Sequence, residues 1–140
     1  KEGGAEIVCF SSQGPFLNTM RNHAWMNHYN IVSSTGGNSQ IIDIAGDVIA
    51  LDGDFVKWVC APVNLEKELL HYWPNTRKFD AIQKKYGRKV RLKIYHQENW
   101  VTLESVDPYI KVRDILGEYE IPTYDEQLRK DSILEKKYRL

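Results

Sequence analysis

Apolar positions along this chain fall into short runs whose period changes from place to place, and the period predicts the elements. Ala5-Glu6-Ile7-Val8-Cys9-Phe10 is nearly continuous in apolar character and is bounded by Gly4 and by Ser11-Ser12. Such a run predicts a strand buried on both faces of a sheet. Ser11-Ser12-Gln13-Gly14-Pro15 reads as a loop, and Pro15 suits the start of a helix, where its missing N–H has no partner in any case. Over residues 16–28, Leu17, Met20, Ala24 and Asn27 recur at three- and four-residue steps and share one helical face. Residues 29–34 predict a second strand, ended by Thr35-Gly36-Gly37.

Ser39-Gln40-Ile41-Ile42-Asp43 and Asp47-Val48-Ile49-Ala50-Leu51 read as the two arms of a hairpin that turns around Ile44-Ala45-Gly46. Residues 55–63 predict a further strand, with Pro62 marking an edge or an end. Asn64 offers a cap to a helix over residues 65–70. After Trp73-Pro74, residues 75–86 carry Phe79, Ile82 and Tyr86 at helical steps, and Gly87 stops the helix. Residues 89–95 alternate Val, Leu and Ile with basic residues, the pattern of a strand buried on one face, and residues 96–99 turn the chain into a strand from Trp100. Asp107-Pro108 signals a helix over residues 109–116, and Thr123 with Glu126 forms a capping box before the last helix.

Composition narrows the function classes. The 140 residues are 42% hydrophobic and 27% charged, as expected of one soluble globular domain with one core rather than of a disordered or fibrous chain. Lys+Arg and Asp+Glu are equal at 19 each, so no long-range field favours nucleic acid or an anionic membrane surface. Trp25, Trp58 and Trp100 fall inside predicted elements and are assigned to core or interface packing rather than base stacking. No run approaches the roughly 18 to 20 apolar residues of a membrane span, and no signal-peptide pattern follows Lys1, so a cytoplasmic protein is expected. With no initiator Met and a strand only a few residues in, the first residue reads as a cut.

Few residues offer chemistry. Cys9 and Cys60 lie in apolar runs, at a spacing that fits neither a disulfide framework nor a zinc site, and buried, reduced thiols are expected. Neither has a neighbouring cation or helix N-terminus in sequence to stabilise a thiolate. His23 and His28 are five apart, on different faces of a helix, while His71 and His96 are isolated, so no metal site is expected. The loop Ser11, Ser12, Gln13 follows the C-terminal end of a strand, where open α/β sheets place ligands. It reads either as part of a substrate pocket or as an ordinary polar strand-to-helix connection.

Two stretches resemble the nitrilase superfamily of carbon–nitrogen hydrolases. Gly4-Ala5-Glu6-Ile7-Val8 is similar to that family's Gly-Ala-acid-apolar-apolar strand. From Gly37 to Ala50 the chain fills all seven specified positions of the family hairpin G-x-S-x-I-x-D-x-x-G-x-V-x-A: Gly37, Ser39, Ile41, Asp43, Gly46, Val48 and Ala50. Between them, Asn27 and Val32 match the segment A-x-E-N-x-x-Y-V-V, whereas Met26 stands where the family has Glu. The resemblance runs from Gly4 to Val63 and fades after it.

The resemblance implies a four-layer α-β-β-α sandwich, of which residues 1–63 are an incomplete half and residues 64–140 a C-terminal α+β extension. It implies hydrolysis of a small amide, carbamoyl compound or nitrile through a cysteine thioester, with no cofactor and as a homodimer or higher homo-oligomer. The family's Glu-Lys-Cys set precedes the strand that begins at Gly4, so this chain is expected to hold no catalytic residue and to contribute Ser11, Ser12 and Gln13 to the pocket. Two alternatives stand beside it: a non-catalytic partner or regulatory module with a nitrilase-like half-sandwich, and a thiol hydrolase using Cys9 or Cys60 with a histidine.

Overall fold

Hydrophobic patterning with periods of both two and 3.6 demands sheets backed by helices, and the computed structural model, which describes residues 4–138, is a mixed α/β protein. The chain divides into two compact units, Lys1–Leu65 and Glu66–Leu140.

The first unit is a four-stranded sheet in the order β1-β2-β3-β4, made of β1 (Ile7–Ser12), β2 (Asn30–Thr35), β3 (Gln40–Ile42) and β4 (Val48–Leu51). Helix α1 (Leu17–Asn27) connects β1 to β2, which run parallel, and the remaining pairs are antiparallel. Register aligns Val8 with Ile31 and Ile31 with Ile42, so these side chains share a face. The predicted helical stripe delivers Met20 and Ala24 onto that face, and the four residues Met20, Ala24, Ile31 and Ile42 form the buried core, flanked by Val8, Phe10 and Tyr29. Asn30 is buried at the entry to β2, its backbone and side-chain amides both donating to the Glu6 carbonyl at 2.9 and 3.1 Å.

Three expectations fail in this unit. The strand expected to be buried on both faces is the edge of the sheet, and because α1 covers one face only, Ile7 and Cys9 on the other are exposed. The thiols are therefore not buried: Cys9 and Cys60 are both exposed. Residues 55–63 form no strand; they belong to an irregular stretch in which Phe55 is 99% and Trp58 71% exposed, so Trp58 is not a core residue. Strand preference is a preference for a pleated, half-buried surface, and no neighbour pairs with this run.

The second unit holds β5 (Lys67–His71), α2 (Thr76–Tyr86), β6 (Val90–Tyr95), β7 (Trp100–Ser105), α3 (Val112–Glu118) and α4 (Tyr124–Tyr138). Its sheet has the order β5-β7-β6, antiparallel throughout, with β7 in the centre. Leu70, Val90, Val101 and Leu103 from the strands meet Phe79 and Ile82 of α2 and Val112, Ile115 and Leu116 of α3 in one core.

Residues 65–70 were expected to be helical, yet Lys67–His71 is a strand in register with β7 from Lys67↔Glu104 to His71↔Trp100. Leu69 and Leu70 are both buried, on opposite faces of that strand, a gain that outweighs the weak helical preference of Leu-Glu-Lys-Glu-Leu-Leu. The third helix starts at Val112 rather than Tyr109. The Asp107 carboxylate accepts the Tyr109 N–H at 2.9 Å within a separate turn, and the Glu66 carboxylate, accepting the Val112 N–H at 3.2 Å, caps the helix from β5's side of the unit. The capping box forms as expected: Thr123 N–H donates to Glu126 Oε2 at 2.9 Å and Glu126 N–H to Thr123 Oγ1 at 3.2 Å.

Candidate functional site

The three pocket candidates lie where β1 ends. Ser11 and Ser12 are its last two residues rather than part of the loop, in register with Ser34 and Thr35 of β2, and Gln13 follows. Because successive side chains of a strand point to opposite faces, Ser12 lies on the α1 side with Val8 and Phe10, and Ser11 on the open side with Ile7 and Cys9. The structure thus separates the two hydroxyls and leaves Ser11 and Gln13 exposed. Ser12 Oγ accepts the Gly14 N–H at 3.3 Å and shapes the turn that follows.

That turn is tight. The Gln13 carbonyl accepts the Gly36 N–H at 3.3 Å, clamping the ends of β1 and β2, and a Cβ at Gly36 would lie 2.8 Å from the same oxygen. Phe16, just before α1, is left-handed at φ 43°, a conformation costing a non-glycine residue about 1 to 2 kcal/mol. Its ring folds over Gly14, where a Cβ would come within 2.8 Å of it, and meets Phe10 edge-on with centroids 6.4 Å apart. Backbone strain of this kind concentrates at functional sites. Opposite the loop, Thr35 and Ser39 are linked by a Thr35 N–H bond to Ser39 Oγ at 3.1 Å, and Thr35 Oγ1 donates to the Gly37 carbonyl at 2.8 Å. This second polar ledge has no signal in the sequence beyond the strand end that Thr35-Gly36-Gly37 predicts.

The hairpin of β3 and β4 is held by residues at its turn. Asp43 Oδ1 accepts the N–H groups of Ala45 and Asp47, each at 2.9 Å, and closes the turn. Gly46 has φ +78°, and a Cβ there would stand 2.9 Å from the Arg21 carbonyl, so only glycine lets the turn approach α1. Arg21 Nε donates to the Gly46 carbonyl at 3.0 Å, fixing helix to hairpin. Ile42, beside the turn, is in the core.

An apolar cleft of about 370 Å³ lies on the α1 side of β1, lined by Val8, Phe10, Phe16, Thr19, Met20, His23, Tyr29 and Ile31. His23 therefore belongs to the face opposite Cys9, and the sheet stands between the only early thiol and this histidine. No group of three or more His, Cys, Asp or Glu able to hold a metal occurs among the described residues. Among them, no helix is long and apolar enough to cross a membrane. The chain matches no protein-family model and no curated protein.

Proposed function

We propose that this chain is the C-terminal part of a carbon–nitrogen hydrolase of the nitrilase type, acting on a small amide, carbamoyl compound or nitrile. The single observation that supports the reading most is the hairpin: the Asp and Gly positions shared with the family perform the turn closure and the close helix approach described above. In this reading α1 and the sheet of the first unit are two of the four layers of the sandwich. The face bearing Ile7 and Cys9 then meets a second sheet, and the protein assembles as a homodimer or larger homo-oligomer.

The chemistry of such a site requires a thiolate to attack a weakly electrophilic carbon, a carboxylate to move protons, and an ammonium to stabilise the developing charge. Those Glu, Lys and Cys residues come from polypeptide preceding Gly4, and this chain contributes binding. Ser11 and Gln13, exposed at the end of β1, hydrogen-bond the substrate's acyl or leaving group; Ser12 holds the loop through the Gly14 N–H.

The test is the product of the whole reading frame, assayed for ammonia or amine release from a panel of amides, carbamoyl compounds and nitriles, with and without prior alkylation. Turnover abolished by alkylation is expected. A reading frame without an upstream Cys, Lys and Glu would falsify the proposal. Within an active protein, Ser11→Ala and Gln13→Ala should each raise KM about three- to tenfold, the worth of one hydrogen bond. Unchanged KM in both variants would remove the loop from the pocket. A non-catalytic partner module is the second reading, favoured by one observation: Glu66–Leu140 completes a core of its own. A folded full-length product that turns over nothing in the panel would favour that alternative.

A further inference from the structure

The cleft beside α1 has the size and the lining of a small-molecule site, and it exists because of where the helix sits. Helix α1 packs chiefly on β2 and β3. Val8 and Phe10, which point to the helix side of β1, are left at its flank, and with Ile31 of β2 they floor a recess of about 370 Å³. That volume lies within the range of about 300 to 1,000 Å³ in which proteins hold small ligands.

Phe16 supplies a wall. It lies just before α1 in the left-handed region at φ 43°, where a residue other than glycine is strained, and its ring stands edge-on to Phe10 with centroids 6.4 Å apart. A strained backbone persists only when something else gains by it. Burial is not that gain, because Phe16 remains 53% exposed. The strain serves instead to hold an aromatic ring upright at the side of the recess.

The lining is also selective. Aliphatic and aromatic side chains make most of it, while Thr19, His23 and Tyr29 bring a hydroxyl, an imidazole and a phenol, groups able both to donate and to accept. None of these three polar groups takes part in a hydrogen bond among the described residues. No Lys, Arg, Asp or Glu lines the recess, so a charged ligand would lose its hydration without meeting a counter-ion. The larger cleft at α3 and the start of α4 is different, being edged by Arg113, Glu120, Glu126 and Lys130.

We propose that the recess beside α1 binds a small uncharged aromatic molecule, its ring against Phe10 and Phe16 and a single hydroxyl, amide or ring N–H meeting Thr19, His23 or Tyr29. Two fused rings fit the space, since an apolar cavity of about 150 Å³ already takes up benzene. The inference uses this chain's residues alone and goes beyond the hydrolase reading; neither needs the other.

Titration of the full chain with 2-naphthol, followed in amide and methyl NMR spectra, tests it. Shifts should concentrate at Val8, Thr19, Met20 and Ile31 and saturate with a Kd on the order of 0.1 to 1 mM, the strength open to so small a ligand. Leu116 and Ile121, in the charged cleft, should not move. The charged analogue 2-naphthoate should bind roughly tenfold more weakly or worse. Thr19→Trp, which fills the mouth from an exposed position on α1, should weaken 2-naphthol binding by about tenfold. Phe16→Gly removes the wall and the strain together, so binding should fall about fivefold while the urea midpoint holds or rises. A ring kept only for stability would give the reverse.

No saturable shift up to the solubility limit would overturn the proposal, as would equal shifts at the exposed Phe55 and Trp58 or equal affinity for the two naphthalenes. Unchanged binding in a Thr19→Trp protein whose Ile42 amide keeps its wild-type protection would do the same. Should that variant not fold, the two probes on the wild-type chain and the Phe16→Gly comparison decide the matter.

Discussion

The two units of this chain solve the burial problem differently. In Glu66–Leu140, β7 is paired on both sides and nine buried residues from strands and helices, with Ile121 beyond α3, form one core. In Lys1–Leu65, one helix and a sheet with an open edge enclose four buried core residues, while Ile7, Val48, Ile49, Leu51, Phe55, Val56 and Trp58 stay exposed. Each apolar side chain left in water forgoes roughly 1.5 to 3 kcal/mol of transfer free energy. Large apolar side chains stay exposed in the second unit too, among them Trp73, Ile94, Ile133 and Leu134, so the contrast lies in the core itself: a sheet with a paired central strand gathers a larger buried cluster than a sheet backed by one helix.

The sharpest way to break this comparison is to cut into the better core. Leu103 is fully buried at the centre of β7, and Leu103→Ala should cost about 2 to 5 kcal/mol. Urea titration followed by amide exchange should show that loss at Val101 and Leu103, with β2 amides keeping their wild-type protection. Equal loss at Ile31 and Val32 would mean that the units unfold together, and the contrast drawn above would be void.

A smaller effect sharpens the account of the first unit. Gly46→Ala forces a left-handed alanine and drives its Cβ toward the Arg21 carbonyl, which should cost about 2 kcal/mol or more. Asp43→Ala strips two N–H groups of their charged acceptor and should cost about 1.5 to 3 kcal/mol. Both losses should appear at Ile31 and Ile42 in amide exchange. If neither variant moves those amides, the hairpin is not what anchors α1 to the sheet.

Legibility in the sequence follows the same division. Where an element's partner is close in the chain, pattern suffices: the α1 stripe, the hairpin at Asp43 and Gly46, the strand at Val90–Tyr95 and the Thr123–Glu126 box read directly, although Ile94, on the face of that strand expected to be buried, is exposed. Where a distant partner decides, pattern misled. Lys67–His71 looks helical in isolation and becomes a strand through pairing with Trp100–Glu104, 29 to 37 residues away in register. Phe55 to Val63 looks like a strand and finds no ladder. At the candidate site, the residues were legible but their sides were not. The polar run Ser11-Ser12-Gln13 reads as one loop, and only the register of β1 with β2 assigns Ser11 and Ser12 to opposite faces.

The finest test lies in two glutamates of the second unit that sit two residues apart yet have opposite effects. A hydrogen bond from Lys111 holds the Glu66 carboxyl below the ordinary carboxylate range, against some desolvation, with the Val112 N–H helping. Desolvation by burial pushes the Glu68 carboxyl up, opposed by Arg113 at 4.0 Å and reinforced by Asp125, Glu126 and Glu66. For Glu66, the lowered folded value means stability present above the unfolded pKa and lost as pH falls through the folded one. Glu66→Gln should therefore lower the urea midpoint near neutral pH and converge with wild type in acid. For Glu68, the raised folded value means that ionisation costs stability above it, a cost that vanishes once both states are protonated. Glu68→Gln should raise the midpoint near neutral pH and likewise converge in acid. Both effects are small because the groups are partly exposed, but their signs differ. Midpoints that move in the same direction would show that Glu66, just before β5, does not hold the start of α3 through the Val112 N–H, or that Glu68 is not desolvated on β5.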